Sequence, residues 1–332
     1  MEKNIRNKKL NKKYNLLITA IPFIPIIKRF EKKIKKRGIN YTLLKSSQQV
    51  SEKQFLKIIH KYDAILSGDD EITKKVIDKA INLKVISKWG TGIDSIEHEY
   101  AKKKGIKVFN TPGAFTNGVA TMAISMILAF YRKIIINHND IRKNIWSKYS
   151  GETILNKKVG LIGVGRIGKK IIEMLQGFKT INYINDTKKI NQKFLRKFKL
   201  KHKTKKFIFK NCDIIIIATD LNKTSFKIIN RKTINFLKKK PLLVNIGRGG
   251  SIDNQALLKS LKQKKIKGAC LDVFETEPLS KNNLLKKFDN CILTSHNAFN
   301  TKDEVEFVNK NTLNNIFKGL NVNAENIKKI QE

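Results

Sequence analysis

The chain has 332 residues, enough for two domains that each bury an apolar core, and its 69 Lys and Arg against 27 Asp and Glu give a formal charge of +42. Such a charge raises nucleic-acid binding first. The lysines, however, recur from Lys3 to Lys329 among Ile and Asn instead of forming an arm, a helix stripe or an aromatic-interleaved patch, so no specific nucleic-acid partner is expected.

The stretch from Met1 to Ile27 imitates a signal peptide, a basic start followed by LLITAIPFIPII. Pro22 and Pro25 interrupt the apolar run, no small-x-small cleavage site follows, and KRFEKKIKKRG comes directly after. A basic tail over Met1–Lys13, a strand over Leu16–Ala20, a proline-containing turn and an amphipathic helix over Ile26–Arg37 fit better. No later run reaches the roughly 18 apolar residues of a membrane span, so no membrane partner is expected.

From there, the β-branched runs NYTLL, AILSG, KVISKW and KVFN alternate with helical stretches EKQFLKIIHKY, ITKKVIDKAI and HEYAKKKG, which is one βαβ series. Asn117 to Ile136 is apolar nearly all round and predicts one long buried helix. A second series starts at Lys158 and runs KVGLIGV, INYIND, CDIIIIAT, PLLVNI, IKGACLDV and NCILTS. The class is therefore α/β, with two doubly wound parallel sheets. Asp303 to Lys318 has helical apolar spacing and fits either domain. Cys212, Cys270 and Cys291 sit in apolar runs without CxxC or Cys/His ligand spacing; they read as core thiols, give no metal site, and point to the reducing cytoplasm.

Gly163-Val164-Gly165-Arg166-Ile167-Gly168 follows the strand VGLI and opens the helical stretch KKIIEMLQGF. A bare GxGxxG is also a ligand-free turn, and its position is what raises this one. The first glycine makes the turn, the second lets backbone approach a pyrophosphate, and the third admits close helix packing. Asp186 lies eighteen residues beyond Gly168 at the end of the next strand, where a carboxylate accepts from an adenosine ribose. That favours NAD. Lys188 and Lys189 could offset the repulsion of a 2′-phosphate, so NADP stays open, as does a plain turn-forming role for Asp186.

NIGRGGSID, LDVFETEP and ILTSHNAFNT each end a predicted strand, and strand C-termini are where open α/β sheets bind ligands. They bring Arg248, Glu277 and His296 towards one crevice. Each alone has a bland reading: an arginine in a glycine-rich turn, a glutamate before proline, a satisfied polar histidine.

Together with KVISKWGTGIDSI, KGIKVFNTPGAFTNGVA and VGLIGVGRIG, these segments resemble, in order and spacing over nearly the whole chain, the D-isomer-specific 2-hydroxyacid dehydrogenases, the family that includes phosphoglycerate dehydrogenase. The resemblance implies hydride transfer between a D-2-hydroxy acid, a phosphorylated one such as 3-phosphoglycerate included, and NAD. It implies that Arg248 clamps the substrate, His296 transfers the proton and Glu277 orients His296. Gly90, Thr91 and Gly92 would hold the substrate carboxylate through backbone amides, and Asp272 would approach the nicotinamide end. Asp253 falls in a structural turn, and Trp89 is either core or pocket border.

The resemblance also implies a Rossmann cofactor domain over residues 113–299 and a discontinuous, flavodoxin-like substrate domain over 1–112 and 300–332, with a cleft between them. A homodimer through the cofactor domain would use the apolar helix after Asn117. Thr121 and Ser295 depart from the acidic residue and the proline common at those places, which bears on substrate identity more than reaction type. The alternative function is an NAD-sensing, corepressor-like binding protein without significant turnover.

Overall fold

The computed structural model describes residues 13–46 and 49–322; residues 1–12, nearly all of the basic tail, lie outside them. The described residues of 1–114 and 302–322 form one compact unit, and residues 115–301 form another.

In the first unit, strands β1 (Tyr14–Ile18), β2 (Ile39–Leu43), β3 (Ala64–Ser67), β4 (Val85–Lys88) and β5 (Lys107–Phe109) form a parallel sheet in the order β2-β1-β3-β4-β5. β3 and β4 are buried throughout, the polar Ser67, Ser87 and Lys88 at their ends included, as central strands covered on both faces are. β1 stops before the expected Ala20 because the carbonyl of Ala20 already accepts from Phe23 N, starting the turn. A 3-10 turn over Ile24–Ile26 then delays the first helix to Lys28–Lys35, which buries Phe30 and Ile34 and leaves its lysines outside.

The helix Lys302–Gly319 belongs to this unit and packs against β3, β4 and β5. It buries Val308, Leu313, Ile316 and Phe317. Ser87 Oγ donates to the carbonyl of Thr312 at 2.9 Å, and Trp89 Nε1 donates to Asn309 Oδ1 at 2.7 Å. Trp89 is thus a core residue, its indole N–H satisfied as burial demands.

In the second unit, β6 (Lys158–Ile162), β7 (Ile181–Asn185), β8 (Lys201–His202), β9 (Ile214–Ile217), β10 (Leu242–Asn245), β11 (Gly268–Leu271) and β12 (Cys291–Leu293) form a parallel sheet in the order β12-β11-β10-β9-β6-β7-β8. The order reverses between β6 and β9, the place where doubly wound sheets open a crevice at their strand C-termini. β8 has no counterpart in the sequence reading: it is two exposed residues long and carries no apolar alternation.

The single helix expected over Asn117–Ile136 is two helices, Thr116–Tyr131 and Ile134–Ile141, bent by 65°. Lys133 adopts a left-handed backbone (φ 57°) at the break, which interrupts the helical hydrogen bonding. Thr116–Tyr131 buries Val119, Ala123, Ile127 and Phe130 against the helix Arg166–Leu175, β10 and β11. Among the described residues no single helix is long and apolar enough to cross a membrane. Cys212 and Cys270 are buried and Cys291 is half-buried. Burial pushes the thiols of Cys212 and Cys291 up to about 12, and that of Cys270 higher still.

Candidate active site

The nucleotide loop is built by the turn out of β6. Gly163 has φ +96°, which strains any side chain, and a Cβ there would come within 2.5 Å of the carbonyl of Ala218. Gly168 lies against the carbonyl of Gly163, so a Cβ would drive the helix off the turn. Gly165 is different: a Cβ on it would meet nothing within 4 Å. This open space stands over the N-terminus of the helix Arg166–Leu175, whose amides and dipole attract an anion, so the loop fits a dinucleotide pyrophosphate. Arg166 is exposed and Ile167 half-buried at the same helix end.

Asp186 directly follows β7, and its carboxylate braces this loop. Oδ2 accepts from Val164 N at 2.6 Å and Oδ1 from Lys188 N at 2.7 Å. Each oxygen retains a second lone pair for a ribose hydroxyl. Thr219, which the sequence reading missed, lies against Gly163 and Gly247, and its hydroxyl is buried without a hydrogen-bond partner among the described residues. Its place just beyond β9, where the strand order reverses, was the available signal.

The segments after β10, β11 and β12 are tied to one another by backbone. Asp272 N donates to the carbonyl of Asn245 at 3.0 Å, and His296 N to the carbonyl of Asp272 at 2.8 Å. Arg248 sits in a turn fixed by Asn245, whose Nδ2 donates to the carbonyl of Arg248 at 3.0 Å while its Oδ1 accepts from Gly247 N. The guanidinium donates from Nη1 to the carbonyl of Gly247 at 2.9 Å. Glu277 Oε1 accepts from Phe274 N at 2.8 Å, and Oε2 lies 2.7 Å from His296 Nδ1. Both side chains are partly shielded from water, which strengthens their attraction.

His296 has φ +53°, a conformation that costs a non-glycine residue roughly 1–2 kcal/mol. Asp272 offsets this. It was expected to approach the nicotinamide end; it is 1% exposed, and its oxygens accept from Thr294 Oγ1 (2.6 Å), Asn297 N (2.8 Å) and Ala298 N (3.0 Å). These three bonds hold the loop in place on both sides of His296. Asp253 caps the helix Asn254–Lys262 through Ala256 N at 2.9 Å, and that bond holds its carboxyl below the usual range. A cavity of about 250 Å³ is lined by Asn245, Gly249 and Phe274 among others, and not by Arg248, Glu277 or His296 themselves.

In the first unit, Gly90 follows β4 with φ +115°, and its carbonyl accepts from Thr111 N at 2.8 Å. Asn110 Nδ2 donates to the carbonyl of Thr91 at 2.7 Å. These bonds fix the turn Gly90–Thr91–Gly92 at a strand C-terminus.

The family model described as the NAD-binding domain of D-isomer-specific 2-hydroxyacid dehydrogenases matches residues 124–298. The chain belongs to the D-isomer-specific 2-hydroxyacid dehydrogenases. Membership makes it an NAD-dependent oxidoreductase of 2-hydroxy acids, the class anticipated from its motifs. It is 32% identical to a glyoxylate reductase of Pyrococcus horikoshii over 260 residues, covering 75% of this chain and 77% of the relative. It is 32% identical to a hydroxypyruvate reductase of Thermotoga maritima, covering 83% and 91%. The D-lactate dehydrogenase of Aquifex aeolicus, solved with NAD and lactic acid, shares its fold with a TM-score of 0.82 at 24% identity, covering 95% and 98%. These relatives of the dehydrogenase are themselves named as reductases and a dehydrogenase, and nothing in them favours a corepressor-like role.

Proposed function

We propose that this dehydrogenase interconverts a short D-2-hydroxy acid and its 2-oxo acid, with Arg248, Glu277 and His296 as the groups that handle the substrate. The observation that carries the reading is the 2.7 Å pair between His296 Nδ1 and Glu277 Oε2. With Nδ1–H given to the carboxylate, Nε2 keeps the lone pair that removes the hydroxyl proton, and Glu277 stabilises the imidazolium that results. Arg248 offers a planar fork to the substrate carboxylate and carbonyl oxygen, fixing which face of the carbon is presented. NAD, when bound, supplies the acceptor for the hydride that leaves that carbon. Gly163, Gly165 and Gly168, with Arg166 and Ile167, hold its pyrophosphate, and Asp186 its adenosine ribose.

Residues 113–299 serve as the cofactor domain, and 1–112 with 300–332 as the substrate domain, in which the amides of Gly90, Thr91 and Gly92 receive the carboxylate. A short, unphosphorylated acid is favoured because the glyoxylate and hydroxypyruvate reductases match over most of their own length. The test is a panel of D-2-hydroxy and 2-oxo acids followed by NADH absorbance. Turnover of glyoxylate or hydroxypyruvate well above 3-phosphoglycerate is expected; the reverse order overturns the substrate assignment, and no turnover at all overturns the reading.

A homodimer through the cofactor domain completes the proposal. Support comes from the segment after the helix break, where Ile134, Ile135, Ile141, Ile145 and Leu155 are exposed and Trp146 is 83% exposed. So many large apolar groups in one run call for a covering surface, and a second copy supplies it. Light scattering should give twice the 38.2 kDa chain mass, and Trp146→Glu should lower it. Three unpaired cysteines support a cytoplasmic location.

A further inference from the structure

We propose that the cavity beside Asn245, Gly249 and Phe274 is a second binding site, for a small neutral molecule with a flat apolar body, and that its occupant slows turnover. The effect on turnover rests on Arg248 and Glu277 handling the substrate as described above; the binding does not. The cavity lies wholly inside the second unit, walled by the end of β11, the helix Asn254–Lys262 and the segment that leads to the 3-10 turn Leu284–Lys287, and holds about 250 Å³. Ile252, Leu257, Leu271, Val273 and Leu285 are buried and give it an aliphatic floor. At the more exposed rim, Asn254 and Ser280 add an amide and a hydroxyl, each able to donate and to accept. An engineered apolar cavity of roughly 150 Å³ takes benzene, so this one has room for a two-ring molecule.

The chain has 69 Lys and Arg, yet among the described residues none of them lines the cavity. Its ionisable lining group is Glu275, whose carboxylate stands 3.5 Å from Lys227 Nζ. An anion would find a carboxylate at the rim and no cation on the wall, so the substrate acids and the dinucleotide are disfavoured. A cation would meet an aliphatic floor that cannot replace its hydration, which leaves a neutral ring. Two lining residues also hold active-site groups from behind. Asn245 Nδ2 donates to the carbonyl of Arg248 at 3.0 Å, and Phe274 N donates to Glu277 Oε1 at 2.8 Å. A Cβ on Gly249 would fall 1.9 Å from the carbonyl carbon of Phe274, so the turn after Arg248 and the segment before Glu277 press on each other at the cavity wall. Residues 273–283 lie outside helix and strand, which makes theirs the wall that yields. An occupant that spreads it draws Phe274 away from Gly249 and from Glu277 together.

Indole is the probe, titrated into the full chain by calorimetry. It should bind wild type, and its Kd should change less than about twofold when NADH is saturating. Indole-3-carboxylate, the same ring with a negative charge, should bind about tenfold or more weakly. In turnover, saturating indole should lower kcat about threefold or more and leave KM for the 2-oxo acid within about twofold. Leu257→Phe fills the floor; it should weaken indole about tenfold or more and relieve the inhibition. Ser280→Trp plugs the mouth from the exposed rim, with the same expectation, and carries the test if Leu257→Phe does not fold. No binding of indole to wild type, binding that NADH abolishes, or binding unchanged in the folded variants overturns the site. Binding of the carboxylate as tight as that of indole overturns the class of ligand, and binding without a fall in kcat overturns the coupling. A chain that turns over no acid overturns the proposed function and the coupling with it, while the calorimetry still decides the site.

Discussion

His296 Nδ1 stands 2.7 Å from Glu277 Oε2, so the carboxylate fixes the tautomer of the ring and favours its charged form. Glu277→Gln keeps the hydrogen-bonding shape and removes that charge, making protonation of His296 harder. In the oxidation direction the base must start neutral, so the acidic limb of kcat/KM should move to lower pH. In the reduction direction the protonated form is required, and activity should fade earlier as pH rises. Profiles in both directions on wild type and variant check this, and coincident profiles would separate Glu277 from the proton transfer. His296→Ala should lower kcat by roughly 10²–10⁴-fold.

Asn245 grips the carbonyl of Arg248 and the amide of Gly247, so the backbone of the turn keeps two bonds when the side chain is changed, although the bond from Arg248 Nη1 to the carbonyl of Gly247 is lost. Arg248→Lys keeps the charge and loses the planar fork. We expect kcat/KM to fall about ten- to a hundredfold through both terms, with NADH affinity unchanged. A variant with unaltered kcat/KM would remove Arg248 from the substrate site.

Asp186 braces Val164 N in the nucleotide loop, and in the proposed reading its charge also repels a 2′-phosphate. Asp186→Ala should therefore weaken NAD and narrow its advantage over NADP at the same time. Asp186→Asn separates the two: an amide oxygen can still accept from Val164 N, so NAD should bind better than in the alanine variant, while the charge-based preference over NADP is lost. Fluorescence titration of both reduced cofactors reads this out, and wild-type NADP that binds as tightly as NAD would contradict the assignment.

The thiols give a prediction independent of catalysis. Burial pushes Cys212 and Cys291 up to about 12, so almost no thiolate is present at neutral pH in the folded protein. Labelling with a disulfide reagent at pH 8 should be slow in buffer and release three equivalents quickly in denaturant, one for each cysteine of the sequence. Rapid labelling of one thiol in buffer would show that its surroundings open in the native state.

Strong periodicity made most of the fold legible in advance. Ile214–Ile217 and Leu242–Asn245 are apolar enough to be central strands wherever the chain is read, and the glycine loop announces the strand before it and the helix after it. The helix break at Lys133 was not legible, because the apolar sequence runs through it and only the backbone of one lysine turns. β8 was hidden for the opposite reason: Lys201 and His202 carry no apolar signal, and only their pairing with Tyr183 and Ile184 makes them a strand. In the site, Arg248, Glu277 and His296 carry chemistry that draws attention to them. Thr294 and Thr219 do not, since a threonine at a strand end is ordinary until its hydrogen-bond partner, or the lack of one, is seen.

The helix Lys302–Gly319 covers strands β3, β4 and β5, which are made long before it. A chain synthesised from its N-terminus delivers these apolar strands first and their cover last. Residues 115–301, by contrast, are continuous and hold all seven strands of their own sheet. Folding on the ribosome should thus invert the order of synthesis: the nucleotide-loop unit completes while the earlier sheet waits for the helix that covers β3, β4 and β5.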